Sequence, residues 1–188
     1  NACAINLPDV YLNYDPNTKF VEDNTAGLNV YSGNNWSASW GDYDNDGFED
    51  LYVPNKNVDE PSALYHNNGD GTLTRIESGA LVSDLGESVS SSWGDFDNDG
   101  DLDLFVANNT YAANKLYINQ GDGSFVSMVD DPIVDLGLYT HAASWADYDN
   151  DGYLDLVSSD IHPTNFNFLF HNNGDGSFEE VSSSVINE

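Results

Sequence analysis

The chain has 188 residues, with 33 Asp and Glu against 4 Lys and Arg, and a formal charge of −29 at pH 7. That balance excludes ordinary electrostatic binding to nucleic acid or to an anionic membrane surface. Acidity of this degree often marks disorder, but 13% aromatic residues and a set of ordered repeats argue for one folded domain with its own core.

Cys3 is the single cysteine, so an internal disulfide is ruled out and the fold must be held by its core and by bound ions. No apolar run approaches membrane-spanning length, so membrane insertion is not expected. The chain opens on neither an initiator Met nor a basic-then-apolar leader, and the expectation is a mature or trimmed product.

The first predicted element is a hairpin within residues 10–28. Its pattern from Val10 to Val21 matches the second half of each later repeat, with Asn13 in the place of Asn67 and Phe20 in that of Leu73. It stands without two inner strands and without an acidic loop, as a half-repeat.

Three full repeats follow, over residues 31–80, 84–133 and 137–184. Each begins with small residues that end in a tryptophan (Trp40, Trp93, Trp145). An aspartate-rich loop leads on to a β-branched and aromatic run, such as Leu51-Tyr52-Val53, which reads as a strand. A variable connection then reaches Leu64-Tyr65-His66-Asn67-Asn68-Gly69-Asp70-Gly71-Thr72-Leu73 and its counterparts Leu116–Phe125 and Leu169–Phe178. Two apolar runs around an Asn/Gly/Asp turn predict a hairpin with glycines at positive φ. These turns are structural, because they lack a ladder of alternating carboxylates. One repeat is therefore four strands, and a period of about 50 residues with four short strands suits a propeller blade.

The aspartate loops carry the chemistry. They recur 53 and then 52 residues on, with carboxylates at loop positions 1, 3, 5 and 9 and glycine at position 6. The sets are Asp42, Asp44, Asp46 and Asp50; Asp95, Asp97, Asp99 and Asp103; and Asp147, Asp149, Asp151 and Asp155. Their repulsion is costly unless a cation sits among them, and dense hard oxygen ligands around a glycine turn suit calcium. Position 7 is expected to give its backbone carbonyl, from Phe48, Asp101 and Tyr153. The loops begin like EF-hands but do not end like them. Position 12 is Val53, Val106 or Ser158 where an EF-hand has a bidentate Glu, and strands flank the loops where an EF-hand has helices. Three Ca2+ ions, one per loop, are the expected cofactors. They would offset part of the charge and couple folding to calcium. The millimolar calcium that such short loops need points to an extracellular or cell-surface location.

Other residues have plainer readings. Trp40, Trp93 and Trp145 occupy one repeat position and should pack between repeats. Trp36 is not repeated, since Val89 and His141 stand in its place, and could contact a partner or a sugar. His66 and His171 share a position with Ile118, a tolerance that argues for a strand-surface site and against a metal ligand. Two tripeptides, Asn35-Trp36-Ser37 and Asn108-Asn109-Thr110, are N-glycosylation sequons. No nucleophile elbow, HExxH or phosphate loop is present, and no enzyme activity is expected.

The stretch from Tyr11 to Val181 resembles the FG-GAP/VCBS-type calcium-binding β-propeller repeats also seen in integrin α-subunits. The likeness rests on Trp40-Gly41-Asp42-Tyr43-Asp44-Asn45-Asp46-Gly47, on its two counterparts, and on the Asn-x-Gly-Asp-Gly turns. It implies an all-β fold of four-stranded propeller-type blades, three full repeats plus the N-terminal half-blade hairpin, with calcium ligands on the carboxylates named above. Ala146 departs from the pattern, where the other repeats have Gly41 and Gly94. The repeat number departs more, because closed propellers have at least about four blades. The chain is then a fragment of a longer propeller, or one of two chains completing a ring, or a subunit whose half-blade is completed by a neighbour, head to tail, as in a filament. The expected role is a structural or adhesive protein that associates with itself or with another protein chain through the half-blade. A carbohydrate-binding module with a glycan partner, or a non-catalytic part of a larger secreted protein, is the alternative.

Overall fold

The computed structural model describes residues 12–13, 21–22, 28, 34–109, 112–135, 139–160 and 167–181. At the N-terminus β1 (Leu12–Asn13) and β2 (Val21–Glu22) pair antiparallel, with Leu12 opposite Glu22 and Asn13 opposite Val21. The remainder of the expected half-blade hairpin lies outside the described residues, apart from Leu28, which is buried.

The fold is all-β, with one four-stranded antiparallel sheet per repeat and strands in sequence order within each sheet. The first sheet is β3 (Ser39–Gly41), β4 (Asp50–Val53), β5 (Ala63–Asn67) and β6 (Leu73–Arg75). The second is β7 (Ser88–Gly94), β8 (Asp103–Asn108), β9 (Lys115–Asn119) and β10 (Phe125–Ser127). The third is β11 (Thr140–Ala146), β12 (Asp155–Asp160), β13 (Asn167–Asn172) and β14 (Phe178–Val181). Each aspartate loop joins the first strand of its sheet to the second, and each Asn/Gly/Asp turn joins the third to the fourth. The turns close with one repeated bond, from the backbone N–H of Asn68, Gln120 and Asn173 to the carbonyl of Thr72, Ser124 and Ser177, each 3.0 Å. Gly69 and Gly71 sit at φ 70° and 89° in the first turn, a region glycine adopts without steric cost.

The strands alternate their side chains between two faces, and each face meets a different neighbour. Tyr52 and Leu64 of the first sheet cluster with Leu104, Val106 and Tyr117 of the second. Phe105, Ala107 and Leu116 on the second sheet's other face cluster with Leu156, Phe170 and Phe178 of the third. Leu51, Val53 and Tyr65, on the first sheet's outer face, cluster with Leu28. Two four-residue helices were not anticipated. They are α1 (Ala80–Ser83) and α2 (Pro132–Asp135), in the connections between repeats. They add Leu81 and Val82 to one intersheet core and Ile133 and Val134 to the other. Asp131 ties the second helix to the third sheet by accepting the backbone N–H groups of Ile133 at 3.1 Å and Phe178 at 3.1 Å.

A tryptophan fixes how closely adjacent sheets approach. Trp93 lies on Gly41 of the preceding sheet, where a Cβ would fall 2.7 Å from the indole, and Trp145 lies on Gly94 in the same way, again at 2.7 Å. Trp93 stacks on Tyr43 and meets Tyr52 edge-on, while Trp145 stacks on Phe96 and meets Phe105 edge-on. The expected intersheet role therefore holds for these two. Trp40 departs from it and is 56% exposed. Ala146 occupies the position of Gly41 and Gly94 and is exposed, so among the described residues no indole is seated on it.

Trp36 bridges the first and third repeats. Its ring meets His141 edge-on at 5.6 Å, carries the Lys56 ammonium 3.7 Å from a ring centroid, and donates its Nε1–H to Asn34 at 2.9 Å. The ring expected to be available to a partner or a sugar is thus in contact with other residues of the chain and only partly exposed.

Candidate metal centres

Each aspartate loop is a tight, repeated piece of backbone. The asparagine at position 4 is left-handed in all three, with Asn45, Asn98 and Asn150 at φ 58°, 61° and 62°. Asparagine tolerates this conformation better than other side chains. Glycine at position 6 takes φ 92° to 96°. Position 1 organises the turn, because Asp42, Asp95 and Asp147 each accept the backbone N–H groups of positions 5 and 6 at 2.9–3.1 Å. Position 5 accepts the N–H of position 7, at 2.9 Å in every loop.

Carboxylate oxygens of positions 1, 3 and 5 converge in all three loops. Asp42, Asp44 and Asp46 form one group, Asp95, Asp97 and Asp99 the second, and Asp147, Asp149 and Asp151 the third, with oxygens within 4.8 Å of one another. Position 9 lies beneath and is buried, at 0% exposure for Asp50 and 1% for both Asp103 and Asp155. These inner carboxylates clamp the loop to the sheet. Asp50 accepts the N–H groups of Tyr43 at 3.3 Å and Asn67 at 2.7 Å. Asp103 does the same with Phe96 and Asn119, and Asp155 with Tyr148 and Asn172.

Burial has an electrostatic consequence. It pushes Asp50 up to about 6 and Asp103 up to about 7, against two backbone hydrogen bonds that favour the ionised form. Asp97 is raised by burial and then by the charge of Asp99. Tyr43, beside the first loop, is pushed up to about 12 by burial and by the charge of Asp50. A buried carboxylate in a field of other carboxylates ionises at neutral pH when a cation is close. The all-oxygen donor set of positions 1, 3 and 5 fits a hard divalent cation such as calcium.

The side chain at position 7 packs on the hairpin turn. The rings of Phe48 and Tyr153 cover Gly69 and Gly174 in the hairpin turns, where an added Cβ would fall 2.5 Å and 2.6 Å from them. Asp101 takes the same place over Gly121 and accepts an N–H of Asn45 from the preceding loop. Asn98 repeats that reach by donating to the carbonyl of Gly152 at 2.9 Å.

Two sets of residues carry more than the sequence reading gave them. The first is the asparagine that opens each Asn/Gly/Asp turn. Asn119 donates its amide to the carbonyl of Tyr43 in the preceding repeat at 2.7 Å and to that of Leu102 at 3.1 Å. Asn172 donates to Phe96 at 2.8 Å and to Leu154 at 3.1 Å. Asn67 makes the within-repeat bond, to Glu49 at 2.9 Å. The visible signal was an invariant Asn in a position where a generic turn would accept several residues. The second set corrects an expectation. His66 and His171 do not sit on an open strand surface. Each turns its Nδ1 toward the inner side of its loop, 3.1 Å from Asp44 and 3.3 Å from Asp50 for His66, and 3.4 Å from Asp149 and 3.2 Å from Asp155 for His171.

The sequon asparagines are buried, Asn35 at 5% and Asn108 at 1% exposure. Asn108 also donates its amide to Ala113 and accepts from Ser88, so the folded chain does not present these amides for glycosylation.

The FG-GAP-like repeat matches residues 57–106 and 95–158, together more than half of the chain. The chain belongs to the FG-GAP-like repeat family. Human cartilage acidic protein 1 is 29% identical over 168 residues, which is 84% of this chain and 24% of that protein. The chain thus spans about a quarter of its relative's length. Among solved structures, an Agrocybe aegerita lectin, studied for its specific recognition of non-reducing terminal N-acetylglucosamine, is similar with a TM-score of 0.51 and 20% identity. The match covers 78% of this chain and 37% of the lectin chain. At that identity the likeness is one of fold. Among the described residues no helix is long and apolar enough to cross a membrane.

Proposed function

We propose that this chain is a calcium-stabilised extracellular repeat module with a structural or adhesive role and no catalytic activity. Its three sheets are propeller-type blades, each held by one calcium ion in its aspartate loop. The observation that carries this reading is the buried position 9 carboxylate beneath three converging carboxylates, present three times over. The ion would be structural, since each loop links two core strands and neighbouring loops are hydrogen-bonded to one another.

Association through the N-terminal half-blade completes the proposal. A second copy added by the tryptophan joint would set Trp40 on Ala146. At Gly41 and Gly94 a Cβ in that place would fall 2.7 Å from the indole. That crowding favours the half-blade as the route of the proposed self-association. Electron microscopy in millimolar calcium, with a chelated control, tests it. Ordered assemblies that dissolve in chelator and disappear on deleting residues 1–28 support the role. Assembly that persists without those residues overturns it.

A glycan-binding role is the second reading. The fold likeness to a lectin favours it, as does a cavity of about 260 Å³ whose lining joins Asn55, Glu60 and Arg75 to Val53, Pro61 and Ala63. A glycan array without hits in millimolar calcium removes this reading.

A further inference from the structure

We infer that the first and third repeats, but not the second, hold a mixed nitrogen and oxygen site for a divalent first-row transition ion, with zinc as the reference ion. Its ligands are His66, Asp44 and Asp50 in the first repeat and His171, Asp149 and Asp155 in the third. In each set one ligand atom per residue lies within 4.8 Å of the others.

Three observations support the assignment. First, the Nδ1 atoms of His66 and His171 are both shielded from solvent and have no hydrogen-bond partner. Each is flanked by two carboxylates at 3.1–3.4 Å. Those oxygens are near enough for a plain His–Asp hydrogen bond, yet neither Nδ1 makes one. Second, these separations suit neighbouring ligands on one ion. With bonds of about 2.0–2.2 Å at near-tetrahedral angles, adjacent nitrogen and oxygen ligands of zinc lie roughly 3.3–3.6 Å apart, and the observed separations reach the short end of that range. Third, the arrangement occurs twice, and the second repeat supplies an internal control. Ile118 stands at the histidine position, leaving that loop with oxygen donors alone.

Donor chemistry then separates the sites. Imidazole suits zinc and other transition ions, whereas calcium takes oxygen ligands. Asp44 and Asp149 belong both to the histidine groups and to the loop carboxylate groups, so a transition ion at either site competes with calcium for that loop. The inference stands on the histidines and is separable from the calcium role proposed above.

Equilibrium dialysis against zinc in excess calcium, read by elemental analysis, tests it. The intact chain should retain two zinc ions. The double variant His66→Ile, His171→Ile copies the residue the second repeat already accommodates. It should lose zinc affinity by at least the ~10–100-fold that losing a mere supporting residue costs, while still binding three calcium ions when zinc is absent. Ile118→His should add a third zinc. Cobalt substitution supplies an independent readout, because nitrogen ligation changes the visible spectrum. Zinc binding that the histidine variants leave unchanged, or no zinc retention by the intact chain, overturns the inference. Zinc retention without any calcium binding would instead overturn the calcium role and leave this one standing.

Discussion

Trp93 rests on Gly41 so closely that a methyl group on that glycine would fall 2.7 Å from the indole. Trp145 and Gly94 repeat the contact at 2.7 Å, so one tryptophan–glycine pair sets each spacing between neighbouring sheets. Gly41→Ala and Gly94→Ala should each destabilise the calcium-loaded chain by about 1–3 kcal/mol, the usual result of forcing extra volume into a packed interior. Ala146→Gly should change stability far less, since no indole is seated there. Equilibrium urea unfolding measures all three.

The tryptophans themselves should divide in the same way. Trp93→Ala and Trp145→Ala remove side chains at the centre of aromatic clusters and should cost about 3–5 kcal/mol. Trp40→Ala removes a ring that is 56% exposed and should cost under about 1 kcal/mol. Equal losses at all three positions would show that Trp40 is covered in solution.

The asparagines that cross between repeats can be ranked as well. Asn119→Ala and Asn172→Ala each strand a carbonyl of the preceding repeat, Tyr43 or Phe96. Leaving a buried partner unsatisfied costs about 1–3 kcal/mol. Asn67→Ala loses a bond to Glu49 within its own repeat and should cost less. Chemical denaturation of the three variants gives the order directly.

Stability without calcium should fall as pH rises. Asp50 and Asp103 have folded values of about 6 and about 7 against an ordinary 3.8, because burial disfavours their charge. The folded chain holds these protons more tightly than the unfolded chain does. Their contribution is fully present below about pH 4 and is lost as pH climbs through 6 and 7. The proposed calcium would keep the carboxylates ionised and should flatten this dependence. Melting temperatures from pH 4.5 to 8, with chelator and with calcium, check the sign. A chelated chain that gains stability across this window would contradict it.

Much of the architecture was readable because it is repeated. Four strands per repeat, the aspartate loop between the first two and the tight turn between the last two all follow from residues that recur at the same spacing. The short helices were not readable, since Ala80–Ser83 and Pro132–Asp135 are too brief to show a helical period. The fate of Trp40 was hidden for another reason. Its repeat position is that of Trp93 and Trp145, but burial depends on a neighbouring sheet that local sequence does not encode. The setting of the histidines was not readable from their tolerance of isoleucine. Ile118 in the same position suggested an unconstrained surface, whereas the fold turns that position toward the loop carboxylates, where the repeats can differ in chemistry while sharing a backbone.

The most direct measurement is thermal unfolding of the intact chain in chelator and in 1 mM calcium, paired with calorimetric titration of the ion. Three calcium ions per chain are expected. With dissociation constants of about 10⁻⁴–10⁻³ M, three sites add roughly 1–4 kcal/mol at that concentration. For a chain of this size the melting point should rise by roughly 3–15 °C. Equal midpoints in the two solutions, with no heat of calcium binding, would contradict a calcium-stabilised fold.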